Sequence, residues 1–149
     1  SPYKELTKCR IAYNKEIVSI EYIPYQIRPV SSLRLVKDNT IEYSWKTTNR
    51  ETINRLFASR QKYDDILIVK NDLITDTSIC NVAFSDGNRW KTPEKPLLKG
   101  TQREYLLRRG TIQEARISTD DISKYKHISL FNAMIGFGEI ILPITSINI

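Results

Sequence analysis

Apolar and polar positions alternate from Cys9 to Tyr13, break at Asn14-Lys15-Glu16, and resume from Ile17 to Ile23, which predicts a β-hairpin. Two strands do not hold together alone in water, so this hairpin needs a sheet supplied by the rest of the chain or by residues outside it. The stretch Arg28-Pro29-Val30-Ser31-Ser32 is polar and interrupted by proline, and reads as an interdomain linker. Ser32 to Val36 predicts a short strand and Asp38-Asn39 a turn, followed by a β-rich run, Thr40 to Trp45, that delivers Lys46. Thr48 or Asn49 is expected to cap a helix over Arg50 to Gln61, with Glu51 in its first turn and Ile53, Leu56 and Phe57 on one face.

Beyond that helix, Ile66-Leu67-Ile68-Val69 has the composition of a fully buried strand. Asn71-Asp72 turns the chain into Ile74 to Ser78, and Asn81 to Ser85 continues the β pattern. Asp86-Gly87-Asn88 is a hairpin signal, and Trp90 to Thr92 returns. Pro93 to Leu98 reads as a loop. Lys99-Gly100-Thr101-Gln102 opens a second helix, Arg103 to Arg109, with Gly110 placed to close it. A short strand is expected around Ala115 to Ile117, a capped turn at Ser118 to Asp121, and apolar strands at Ile128 to Met134 and Glu139 to Ile144. Strands outnumber helices and come in hairpins, so the expected class is α+β, a mixed sheet flanked by few helices.

Composition narrows this picture only slightly. The 149 residues suit one globular domain, or a small one plus part of another. No apolar run approaches the roughly 20 residues of a membrane helix, and no secretory leader is visible. Two cysteines, Cys9 and Cys80, read as reduced thiols of a cytoplasmic protein. With His127 as the only histidine, a metal centre is not expected. The net charge of +6 favours anionic partners. The lysines and arginines are scattered rather than clustered, so charge alone does not choose among nucleic acid, an acidic membrane and a small anion. The expectation of a small anionic substrate, with no nucleic acid and no membrane, comes from the chain's motifs.

Three features could carry chemistry. Lys46, between a hydrophobic run and a capped helix, is a candidate amine nucleophile whose ammonium burial and a helix N-terminus would both disfavour. Asp76, inside the β-rich stretch Ile74-Thr75-Asp76-Thr77-Ser78, needs a protonated partner if it is buried. Leu98-Lys99-Gly100-Thr101-Gln102-Arg103 places a glycine and a hydroxyl at a helix start, where free N–H groups and the helix dipole suit a phosphate. Each alone is commonplace. Together, an amine, a carboxylate thirty positions on and a phosphate-type helix start are the parts a pyridoxal phosphate site requires.

The order Trp45-Lys46-Thr47-Thr48-Asn49-Arg50, Asp64 to Ile68, Ile74 to Phe84, Thr92-Pro93 and Leu97 to Arg103 resembles the class IV aminotransferase family. Within it, Arg50 and Phe131-Asn132-Ala133-Met134 are most similar to the aminodeoxychorismate lyases. The resemblance spans about Lys46 to Pro143. It implies the D-amino-acid aminotransferase-like fold type IV, with residues 1–30 as the end of an incomplete small N-terminal domain plus linker. Residues 31–149 would then form the large cofactor-binding domain.

By position, the resemblance makes Lys46 the Schiff-base lysine and Asp76 the partner of the pyridinium. It sets Thr101 and Gln102 at the phosphate and Asn132 and Met134 at the cofactor or substrate, while Asn81 and Arg103 brace loops. Arg50 is expected at the cofactor and, with Arg28, opposite the two carboxylates of the substrate. The implied reaction converts 4-amino-4-deoxychorismate to 4-aminobenzoate and pyruvate in folate biosynthesis, in a homodimer. The alternatives are transamination of branched-chain or D-amino acids, or a non-catalytic relative. Three departures stand out: Asp76 where the family has Glu, Gln102 where it has Thr, and no counterpart of an upstream phosphate-binding arginine.

Overall fold

In the computed structural model, which describes residues 4–149, the hairpin stands as its own sheet. Strands β1 (Thr7–Tyr13) and β2 (Ile17–Pro24) pair antiparallel with Thr7 opposite Pro24. Ile11, Tyr13, Ile17, Val18 and Ile20 remain exposed on them. A stretch without regular structure, 25–32, leads to β3 (Leu33–Lys37).

Helix α1 (Glu51–Ala58) follows, then β4 (Asp65–Lys70), β5 (Leu73–Thr77), β6 (Asn81–Ser85) and β7 (Trp90–Pro93). Helix α2 (Thr101–Arg108), β8 (Gln113–Ala115), β9 (His127–Phe131), β10 (Ile140–Pro143) and β11 (Ile147–Asn148) complete the order. The strands after the hairpin form two mixed sheets, ordered β11-β3-β4-β5 and β10-β9-β6-β7-β8. β3 runs parallel to both β4 and β11, and β7 runs parallel to β8, while the other pairs are antiparallel.

Period-two alternation along the central strands builds the layers. On β4, Leu67 and Val69 face the core shared with β6 and β9, where Val82, Phe84, Ile128 and Leu130 pack. Ile66 and Ile68 face the opposite way and meet Ile53 of α1 with Val36, Ile41 and Leu97. On β6, Ala83 turns away from Val82 and Phe84 toward Leu106 of α2, Ile112 and Phe131. A strand covered on both faces reads as an uninterrupted apolar run, as 66–69 does. Each such side chain contributes about 1.5–3 kcal/mol on burial.

Local chemistry sets the connections. Asn71 and Asp72 both take positive φ, giving a two-residue turn that aligns Lys70 with Leu73. Thr77 Oγ1 accepts from the Cys80 N–H, and Thr77 N–H donates to the Cys80 carbonyl, tightening the passage from β5 in one sheet to β6 in the other. Gly110, at φ +72°, closes α2, and Ser118 forms a capping box with Asp121.

Two expectations are corrected. The run 40–45 is not a strand: the Asp38 carboxylate accepts from Thr40 and Ile41 N–H, Ile41 is buried and Trp45 is exposed. Both edges of β3 are taken by β4 and β11, so the run that follows cannot fold back to pair with β3. Asn49 caps α1 from one position further out than expected, its side chain accepting from Glu51 N–H at 3.2 Å. Among the described residues, no helix is long and apolar enough to cross a membrane.

Candidate active site

Four loops and a helix start converge on one cavity of about 520 Å³. Its walls come from the segment after the hairpin (Tyr25, Arg28), the loop before α1 (Tyr43, Lys46, Arg50), the β5–β6 turn, the entrance to α2 and the loop after β9. Lys46, Asp76 and Thr101, separated in sequence, thus share one chamber, together with Arg28, Arg50, Asn132 and Met134.

Asp76, on β5, is 6% exposed. Burial pushes its carboxyl up to about 7, against the opposing pull of the Leu98 N–H, the Asn81 amide and Arg103. The Leu98 N–H donates to Oδ2 at 2.9 Å, and Asn81 Nδ2 donates to Oδ1 at 3.1 Å. Asn81 also donates to the Leu98 carbonyl at 2.8 Å, so one amide holds both the carboxylate and the loop entering α2. This is the bracing role expected of Asn81. A buried carboxyl near neutrality lining a cavity is suited to a cationic ring nitrogen.

The α2 entrance fits a phosphate. Gly100 occupies the N-cap position with no side-chain cap, and the first helical bond to form is Glu104 N–H to the Gly100 carbonyl. The N–H groups of Thr101, Gln102 and Arg103 therefore have no acceptor within the helix. A Cβ on residue 100 would overlap the Asn81 side-chain oxygen, so only glycine keeps this backbone against the Asn81–Asp76 pair. Arg103 is buried and donates to the Pro93 carbonyl at 3.0 Å and to Glu114 at 3.1 Å, bracing the helix as expected.

Lys46 lies in an irregular loop, exposed rather than desolvated, which corrects the expectation of a buried strand-end amine. Arg50 Nη2 donates to the Ser78 carbonyl at 2.5 Å, while its buried Nε has no hydrogen-bond partner. With Lys8 and Lys99, five cationic side chains line the cavity.

Three expected contributors are differently engaged. Arg28 Nη2 donates to buried Asp65 at 3.1 Å, and its guanidinium lies 4.6 Å from the centre of the Phe57 ring. Much of its charge therefore offsets Asp65, whose carboxyl burial raises while Ile66 N–H, Ser78 and Arg28 draw it down. Asn132 donates to the Ile79 carbonyl and the Cys80 sulfur and accepts from Met134 and Ile135 N–H, leaving no side-chain position for a ligand. The Gln102 amide donates to the carbonyls of Asn132 and Ile135 and accepts from Phe137 N–H, so its side chain is directed to a loop.

Tyr25, Tyr43, Lys8 and Cys80 line the cavity without having been singled out as site residues from the sequence. Burial pushes the Cys80 thiol up to about 12, so it is not a nucleophile. Lys99, adjoining Gly100-Thr101, carried a usable signal; the others are joined to the site only by tertiary packing.

A family model described as Amino-transferase class IV matches residues 14–147. An uncharacterized Haemophilus influenzae protein is 46% identical over 132 residues, covering 89% of this chain and 70% of that protein. The crystal structure of a "putative 4-amino-4-deoxychorismate lyase" from Haemophilus somnus superposes with a TM-score of 0.83 at 38% identity, covering 87% of this chain and 67% of that one. A hypothetical aminotransferase from Mycobacterium tuberculosis, solved in a PLP-bound form, shares the fold with a TM-score of 0.65 at 18% identity, covering 79% and 51%. The chain thus spans about half to seven-tenths of the length of these relatives.

Proposed function

Since this chain belongs to the class IV aminotransferase family, we propose that its cavity holds pyridoxal 5'-phosphate and serves a lyase acting on 4-amino-4-deoxychorismate, giving 4-aminobenzoate and pyruvate. The observation that carries the reading is the meeting of Lys46, Asp76 and the uncapped start of α2 in one chamber. The description of the Haemophilus somnus structure supports the choice of substrate.

Thr101 and the free N–H groups at the α2 entrance would hold the phosphate, with Lys99 adding charge. Asp76 would hold the protonated ring nitrogen, and the cofactor, when bound, supplies an electron sink for the bond-breaking steps. Lys46 would be the residue that holds the cofactor covalently, and its Nζ would be the group placed to take and return a proton. Arg50, with one guanidinium N–H unpaired, would take a substrate carboxylate. Arg28 contributes only through the half of its side chain that Asp65 leaves accessible. Ala133 and Met134 would wall the carbon skeleton of the substrate.

Incubating the full polypeptide with 4-amino-4-deoxychorismate and pyridoxal phosphate is expected to release pyruvate and 4-aminobenzoate. Amino transfer from a branched-chain or D-amino acid to 2-oxoglutarate, with no pyruvate from the first substrate, would replace the lyase reading with an aminotransferase. A protein that neither binds the cofactor nor forms product would be a non-catalytic relative.

A further inference from the structure

The loop after β9 bends back on itself, with Met134 and Ile135 N–H both donating to Asn132 Oδ1. Asn132 N–H donates to the Ile135 carbonyl, and Glu139 returns to the Gly136 backbone. Ile135 is buried in the main core and Phe137 packs on Trp90 and Phe131, while among the described residues the side-chain hydrogen bonds from outside the loop to its backbone come from one residue. That residue is Gln102. Its Nε2 donates to the carbonyls of Asn132 and Ile135, the second at 3.1 Å, and its Oε1 accepts from Phe137 N–H at 2.7 Å. The three contacts bracket Ala133 and Met134, which face the cavity.

We infer that Gln102 is a positioning residue that ties the α2 entrance to the 132–137 loop and thereby fixes the Ala133–Met134 wall against which substrate is selected. The role in selection rests on the function proposed above; the tie itself does not.

The chemistry at this position is restrictive. Two donors and an acceptor are needed at the end of a flexible arm, and a glutamine amide supplies all of them. Threonine is too short to reach three backbone groups of the loop. Glutamate would set a carboxylate against two carbonyl oxygens, and lysine or methionine offers no acceptor suited to Phe137 N–H. The substitution of Gln for the family's Thr is thereby explained by what the side chain holds rather than by contact with the phosphate.

The test compares wild type with Gln102→Met, which keeps the volume of the arm, and Gln102→Glu, on the full polypeptide. Amide hydrogen exchange at Phe137 is expected to accelerate about tenfold or more in Gln102→Met, which has no acceptor for it, and less in Gln102→Glu, which keeps an acceptor but loses both donors to the loop carbonyls, while amides late in α2 keep their protection. Cofactor affinity, read by visible titration with pyridoxal phosphate, should stay within about threefold, because the backbone N–H groups remain. KM for whichever amino substrate wild type turns over should rise about tenfold with kcat nearly unchanged, a split that general destabilisation does not produce.

Unchanged exchange at Phe137 in Gln102→Met would overturn the tie. Accelerated exchange with an unchanged KM, or with KM and cofactor affinity lost together, would overturn the role in substrate selection. A wild-type protein that turns over neither substrate contradicts the proposed reaction and the selection role, and the exchange measurement still decides the tie.

Discussion

At the scale of single residues, Asp76 is the group whose environment most departs from water. Its carboxyl keeps a proton up to about pH 7 in the folded chain, while an unfolded chain releases it near 4. Between those values the native state binds more protons, so this group's contribution to stability is fully present below about pH 4 and is lost as pH rises to 7. The rise corresponds to roughly 4 kcal/mol. Asp121, held down to about 2 by Lys124 and Ser118, acts in the opposite sense and below that window. Denaturant unfolding of the cofactor-free protein at several pH values should therefore show stability falling from about pH 5 to 7, with a shallower slope in Asp76→Asn. Parallel slopes in the two proteins would show that Asp76 is already ionised at pH 5. If pyridoxal phosphate binds as proposed, a protonated ring nitrogen beside Asp76 would supply a positive partner and flatten the wild-type slope too.

Elements were legible where local pattern and tertiary setting agree. The hairpin, the buried run at 66–69, the turn at Asn71-Asp72, and the α2 start with its Gly110 close all follow from short-range chemistry. Thr40 to Trp45 has strand composition yet forms no strand, because strand propensity is a preference for a pleated partner and β3 has no edge left to offer. The pairing of Arg28 with Asp65 joins residues 37 positions apart, and that of Gln102 with the 132–137 loop joins residues about 30 apart; neither leaves a local trace. One chemical requirement links Lys46, Asp76 and the α2 entrance in the sequence, and the fold sets all three around one cavity. Gly110 gives a clean element-scale check. Nothing lies within 4 Å of the Cβ it would carry, so replacement there tests backbone conformation alone. Gly110→Ala should cost about 1 kcal/mol in denaturant unfolding, and Gly110→Asn less. Equal stability in all three would show that α2 does not depend on this left-handed close.

Over the whole molecule, two packed sheets hold the site, while the β1–β2 hairpin contributes Lys8 to the cavity and otherwise stands apart with apolar side chains in water. A two-stranded sheet of this kind has little stability of its own. Hydrogen exchange of the 149-residue chain should find the β1 and β2 amides the least protected of the strands, and β4, β6 and β9 the most. Equal protection in the hairpin would mean that another surface covers it in solution.

The net charge of +6 and the five cations lining the cavity would favour an anionic ligand there, and the proposed function turns on the amine of Lys46. The most direct measurement is borohydride reduction of the full polypeptide incubated with pyridoxal phosphate, followed by peptide mass spectrometry. A reduced pyridoxyl-phosphate adduct on Lys46, with the visible band near 410–420 nm absent in Lys46→Ala, is the predicted result. An adduct confined to Lys8 or Lys99, or no adduct at all, would contradict it.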